Sequence, residues 1–161
     1  MRLQIATRKA FFTLFVFATT LLLFGRPSYA QFPRIVSADV VTDTGGQEKD
    51  HDTGIWVDVI AKDNRLIAKA ENAAYSKDDN RDTHFKDHSH HEFPLTIVDP
   101  NIPIPDAQGF RVKFRIKANG NNHWIADVKI RLHYSDGVTV IENARHVDLN
   151  SRGSDLVGVE F

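Results

Sequence analysis

Residues 110–135, FRVKFRIKANGNNHWIADVKIRLHYS, decide the fold class. In the first half Val112, Phe114 and Ile116 alternate with Arg111, Lys113, Arg115 and Lys117. After a polar Asn/Gly stretch, Trp124, Ala126, Val128, Ile130 and Leu132 alternate with Asp127, Lys129, Arg131 and His133. A period of two places successive side chains on opposite faces of a strand, whereas a helix would repeat its apolar residues every three to four positions. Both halves therefore read as strands with one dry face and one wet face, the pattern of an antiparallel sheet covered on one side.

The same signal recurs on either side. Arg34–Asp43 alternates, with Ile35, Ser37, Asp39 and Val41 on one face and Val36, Ala38, Val40 and Thr42 on the other. Ile55–Ala61 and Arg65–Tyr75 flank the turn Lys62-Asp63-Asn64 and predict a hairpin. Phe93–Val98 is a short β-rich run ended by Asp99-Pro100, Asp136-Gly137 turns the chain into Val138–Ile141, and Leu156–Phe161 is placed to close a sheet. No segment sustains a helical apolar period. Seven or eight short strands joined by polar turns predict an all-β fold, an antiparallel β-sandwich of about eight strands.

The amino terminus reads differently. Arg2, Arg8 and Lys9 precede the apolar run FFTLFVFATTLLLF, residues 11–24, which is followed by Gly25, Pro27 and the small residues Ser28 and Ala30. This is the layout of a cleavable secretory signal covering residues 1–30, with Gln31 as the new amino terminus. As a helix the 14-residue run would reach only about 21 Å, short of a ~30 Å hydrocarbon core. The expectation is an exported protein, periplasmic or extracellular, whose remaining 131 of 161 residues form one β-sandwich domain. Four of the 20 basic residues and none of the 21 acids lie in the leader, so residues 31–161 carry 16 against 21, a net charge of −5. That balance argues against nucleic acid as a general partner. The absence of cysteine excludes disulfides, thiol catalysis and cysteine-ligated zinc.

Three blocks of sequence resemble one known family. The first is TDTGGQEKDHDTGIWVDV, residues 42–59, with a Thr-Gly turn, an acidic loop containing Asp52, and a following strand. The second runs from Phe85 through Ser89 to Phe93, with His88 where the family has Gly. The third is residues 110–130, a strand, a polar loop, and Trp124-x-x-Asp127 entering the next strand. In this order they are similar to the PLAT, or lipoxygenase-homology, β-sandwich family. The resemblance implies a non-catalytic module that docks on a membrane surface or a protein partner, often with calcium. The chain departs from the pattern in the long charged segment 75–87 and in the missing Gly.

Candidate sites follow from the loops and from one strand face. Asp50 and Asp52 stand two apart before a strand, and Asp78, Asn80 and Asp82 repeat the 1, 3, 5 spacing of oxygen ligands in a calcium loop. Thr83 stands where an EF-hand has Gly, and Ser89 where it has Glu, so this is no EF-hand. Asn119, Asn121 and Asn122 would join these acids if the loops cluster at one end. A solvated polar loop accounts for the same residues. His84, His88, His90 and His91 crowd one segment, and imidazoles so spaced suit zinc, copper or nickel when three or four converge. Arg111, Lys113, Arg115 and Lys117, joined by Lys129 and Arg131 if the two strands pair, would form a basic face for an anionic headgroup, a phosphorylated glycan or an acidic partner. Like charges facing across strands are unfavourable, and acids such as Asp58 on a neighbouring strand would neutralise them. No nucleophile-elbow or HExxH motif occurs. Trp124 has the inward parity of a core residue, while that of Trp56 is open.

The leading expectation is an exported, non-catalytic binding module for a membrane surface or protein, with calcium in its acidic loops. The alternative is a periplasmic carbohydrate- or metal-binding protein on a similar sandwich. A small secreted hydrolase ranks third.

Overall fold

The computed structural model describes residues 32–77, 84–153 and 156–161. The expected leader and Asp78, Asn80 and Asp82 lie outside them. The described chain contains β1 (Ile35–Thr44), β2 (Thr53–Ile60), β3 (Leu66–Ala73), β4 (His90–Pro94), β5 (Thr96–Ile97), one helical turn α1 (Ile104–Ala107), β6 (Arg111–Ala118), β7 (Gly120–Tyr134), β8 (Thr139–Gly153) and β9 (Val157–Glu160). They form two antiparallel sheets, β4-β1-β7-β8 and β5-β3-β2-β6-β9. The fold is an all-β sandwich. No helix among the described residues is long and apolar enough to cross a membrane.

Alternation builds the core as the period of two requires. Val40, Val57, Val59, Val112, Phe114, Ile116, Ile130 and Leu132 are buried between the sheets. Trp124 is fully buried, its ring 5.8 Å from Phe85 and 5.9 Å from Phe114. Its indole N–H donates to Thr44 Oγ1 at 3.2 Å, which satisfies the one polar atom the ring carries inside. The hairpin across residues 62–64 forms, with Asn64 at φ 69° completing the turn.

Three expectations change. First, β6 and β7 do not pair. β6 lies between β2 and β9, and β7 between β1 and β8, in the other sheet. Alternation says which side chains face the core, but it does not name a strand's neighbour. Here the chain passes from one sheet to the other through Asn119 and Gly120, and Gly120 takes φ 133°, a conformation that a side chain disfavours.

Second, the run 93–98 divides at Leu95. β4 pairs with β1 in one sheet and β5 with β3 in the other, and Leu95 is buried at the crossing.

Third, β8 continues far beyond Ile141 to Gly153. Its alternation breaks at Arg145 and His146, which form a bulge opposite Asp127. His146 adopts φ 52°, and its N–H donates to Asp127 Oδ1 at 2.7 Å. Past the bulge Val147, Leu149 and Ser151 point inward again.

The strand directions sort the connections into two ends. Segments 45–52, 74–77 and 84–89 and the Asn119 corner share one end, called here the loop end. The hairpin turn 61–65, the proline-bearing segment 98–110 and the turn 135–138 share the other, the turn end.

Candidate functional site

A two-residue ladder organises the loop end. Lys49 N–H donates to Phe85 O at 2.9 Å, and Phe85 N–H donates back to Lys49 O at 3.0 Å. Successive side chains of paired extended segments point to opposite sides. Lys49 and Phe85 therefore turn inward together, both buried, and Glu48, Asp50 and His84 turn outward together.

The inward pair is unusual. Phe85 stacks on His91 with ring centroids 3.7 Å apart and packs edge-on against Trp124. The Lys49 Nζ lies 4.8 Å from the Phe85 ring centre and donates to Asp50 O at 2.9 Å and Ala74 O at 2.8 Å. Burial lowers its pKa to about 7, while the charges of Asp50 and Asp52 pull it back upward.

On the outward side, one ligand atom each from Glu48, Asp50 and His84 lies within 4.8 Å of the others. His84 Nε2 is 3.4 Å from Glu48 Oε2 and makes no hydrogen bond. The His51 ring centre is 6.5 Å from that of His84.

Asp52 goes elsewhere. With Asn119, whose N–H donates to Asp52 O at 3.3 Å, it borders an open cleft of about 610 Å³ on the outer face of β2. Trp56, Asn72, Tyr75, Lys77 and Lys117 line the rest. Trp56 alternates with the buried Ile55 and Val57, so it stands outward, half-buried, and Tyr75 is likewise half-buried. Gly54 makes room for this arrangement. A Cβ there would collide with Asn72 Oδ1 and come within 2.9 Å of two indole carbons of Trp56.

The structure thus separates residues that the sequence grouped. Asp50 joins Glu48 and His84, whereas Asp52 joins Asn119. Of the other histidines, His90 bonds Asp43 at 2.6 Å, and His91 contacts Ser89 at 3.0 Å beneath its stacked ring.

The single basic face is corrected, because it required β6 and β7 to pair. Arg111, Lys113, Arg115 and Lys117 lie on the outside of one sheet, and Lys129 and Arg131 on the outside of the other. Acids from the same sheets interleave with them. Arg115 pairs with Asp58 at 2.5 Å, Arg111 with Glu160 at 2.9 Å, and Arg131 with Asp39 at 2.5 Å and Glu92 at 2.6 Å. Those carboxylates raise the Arg131 pKa further. Lys113 sits between Asp58 and Glu160 in register, while Lys117 reaches the cleft.

Glu48, Asn72, Tyr75 and Lys77 were not singled out by their sequence. Trp56 carried a usable signal, since its parity is opposite to that of Ile55, Val57 and Val59. Glu48 carried one only in combination. Its spacing to Asp50 becomes meaningful once Lys49 is known to pair with Phe85.

Comparison with known proteins yields no relative: no family model matches the chain, and neither the curated proteins nor the solved structures contain a match.

Proposed function

We propose that this chain is an exported, non-catalytic binding module on a PLAT-like sandwich, and that its ligand is a glycan held in the Trp56 cleft. The observation that carries this reading is the composition of that cleft. Two half-buried aromatic rings, Trp56 and Tyr75, share it with Asp52, Asn72, Asn119, Lys77 and Lys117. Aromatic rings offer flat apolar faces to the C–H faces of a sugar, and amide, carboxylate and ammonium groups satisfy its hydroxyls. The two lysines favour an acidic sugar. Among the described residues the lining supplies one carboxylate, Asp52, where glycoside hydrolysis takes two.

Membrane docking through calcium is less well supported. It would gather acidic loops and exposed apolar side chains at one tip. Here Asp50 and Asp52 lie at the loop end, where Leu156 is the one exposed large apolar residue among the described residues, while Phe32, Val36, Val98 and Val138 belong to segments at the turn end.

The test is a glycan array followed by calorimetry on the best binder, using residues 31–161 and its Trp56→Ala variant. Binding should fall at least about 30-fold in the variant, the loss of roughly 2 kcal/mol expected on truncating an anchoring aromatic. The melting midpoint should hold. Co-sedimentation with anionic vesicles, with and without calcium, is run in parallel. Vesicle binding that survives Trp56→Ala, with no glycan retained, would transfer the function from the cleft to a lipid surface.

A further inference from the structure

We propose that Glu48, Asp50 and His84 form a binding site for a zinc-class divalent cation, separate from the Trp56 cleft and independent of what that cleft binds.

The donor set comes first. Two carboxylates and one imidazole bring a charge of −2 when His84 is neutral, and borderline cations such as zinc accept both nitrogen and oxygen ligands. Calcium instead collects six to eight oxygens at longer range and gains little from a ring nitrogen.

The second point is geometry. The three donor atoms lie within 4.8 Å of one another, and His84 Nε2 and Glu48 Oε2 are 3.4 Å apart. Two ligands on one tetrahedral zinc, each about 2.0–2.1 Å from the metal, stand about 3.4 Å from each other. That separation is long for a hydrogen bond, and His84 Nε2 makes none although the atom is shut off from solvent. A neutral imidazole aims a lone pair or an unused N–H at a carboxylate in this position. With the proton on Nδ1, the Nε2 lone pair is free to ligate a cation shared with the carboxylates.

The third point is pre-organisation. Glu48 and Asp50 flank Lys49, and His84 precedes Phe85, in a ladder closed by two backbone hydrogen bonds. The inward members of that ladder are buried in the core, so the outward members project from a fixed backbone rather than from a free loop. Three protein ligands leave room on the metal for water or an added group, and the bound cation would tie segment 48–50 to residue 84.

The experiment uses residues 31–161 purified in chelator and then dialysed free of it. Zinc is titrated by calorimetry and competed against a chromophoric chelator, with calcium as a parallel titrant. Wild type should bind zinc one to one and prefer it to calcium by at least about 100-fold. His84→Gln and Glu48→Gln should each lower zinc affinity by more than the 10- to 100-fold typical of losing an outer-shell partner. His88→Gln and His90→Gln should change it less than threefold. Thermal melts without metal establish that each variant is folded. The proposal is overturned if zinc does not bind, if calcium binds as well as zinc, or if affinity survives in folded His84→Gln. Loss of binding in His88→Gln or His90→Gln alone also overturns it, since zinc would then sit adventitiously on the surface imidazoles.

Discussion

The two ends of the sandwich differ in how their polar groups are partnered. At the turn end Arg65 reaches Asp63 at 2.6 Å, Asp99 at 3.3 Å and Asp106 at 3.4 Å, and the buried Tyr134 hydroxyl donates to Ile102 O at 3.0 Å. Arg65 is matched by three carboxylates, and the hydroxyl has its acceptor. The loop end instead buries a lysine beneath carbonyls, gathers two carboxylates around an imidazole nitrogen with no hydrogen bond, and exposes two aromatic rings beside a cleft. At the turn end Arg65 and the Tyr134 hydroxyl find their partners within the fold. The loop end holds groups whose arrangement suits a ligand, which is why both proposals concern it.

Removing the inner support of the loop end should have the largest effect. Phe85 touches Trp124, stacks on His91 and lies under Lys49. Phe85→Ala should cost about 3–5 kcal/mol in a denaturant melt, the range for deleting a buried ring. Because the ladder also positions His84 and Asp50, zinc binding should weaken with it, even under conditions where the variant remains folded. Full zinc affinity in a destabilised Phe85→Ala would show that the ladder does not organise the cation site.

The buried lysine gives a smaller and pH-dependent effect. Its pKa falls from 10.5 unfolded to about 7 folded. Between those values the unfolded chain holds the proton more often than the folded one, so stability rises with pH from about 7 to about 10.5. Lys49→Met removes the ammonium but orphans the carbonyls of Asp50 and Ala74, a penalty on the order of 1–3 kcal/mol. Measured in chelator, so that no cation occupies the adjacent carboxylates, the deficit of Lys49→Met relative to wild type should widen from pH 7 to pH 10. A constant deficit across that window would mean that Lys49 is already charged in the fold.

Much of the architecture was legible, and the limits have physical causes. Alternation located the dry faces of β6 and β7, and the inward parity of Trp124 matched its full burial, whereas in β1 an irregularity between Ile35 and Ser37 leaves Ile35 buried and Val36 exposed. Asp58 was correctly named as a neighbour that would neutralise the basic stripe, and it pairs with Arg115. Partition between sheets was not legible, because a strand with one dry face fits either layer of a sandwich. Bulged and crossing strands hid for a related reason. Arg145 and His146 interrupt the period of two, so the strand reading stopped at Ile141, and the bulge held by Asp127 carries β8 on to Gly153. The candidate site depended on contacts across 34 residues of sequence, from Asp50 to His84. Nothing local distinguishes Glu48 or Asp50 from other surface acids. The pairing of Lys49 with Phe85 does, and that pairing is a property of the folded ladder.

The smallest expected effect belongs to the turn end and titrates in the opposite direction. Burial raises the Tyr134 pKa from 10.0 to about 12, with the negative charges of Asp106 and Asp136 adding to the shift. The unfolded phenol therefore ionises first, and its contribution to stability, complete below pH 10, is lost as pH rises toward 12. Tyr134→Phe keeps the ring but orphans Ile102 O, which should cost about 1 kcal/mol at neutral pH. The cost should shrink between pH 10 and 12, because the variant has no phenol to ionise. The two buried groups then serve as opposed reporters. Over pH 7 to 10 only the loop end should respond, through Lys49, and above pH 10 the turn end should respond with the opposite sign. If Tyr134→Phe also changed the slope between pH 7 and 10, or altered zinc binding, the two ends would be coupled through the core, and the division between a structural end and a binding end would fail.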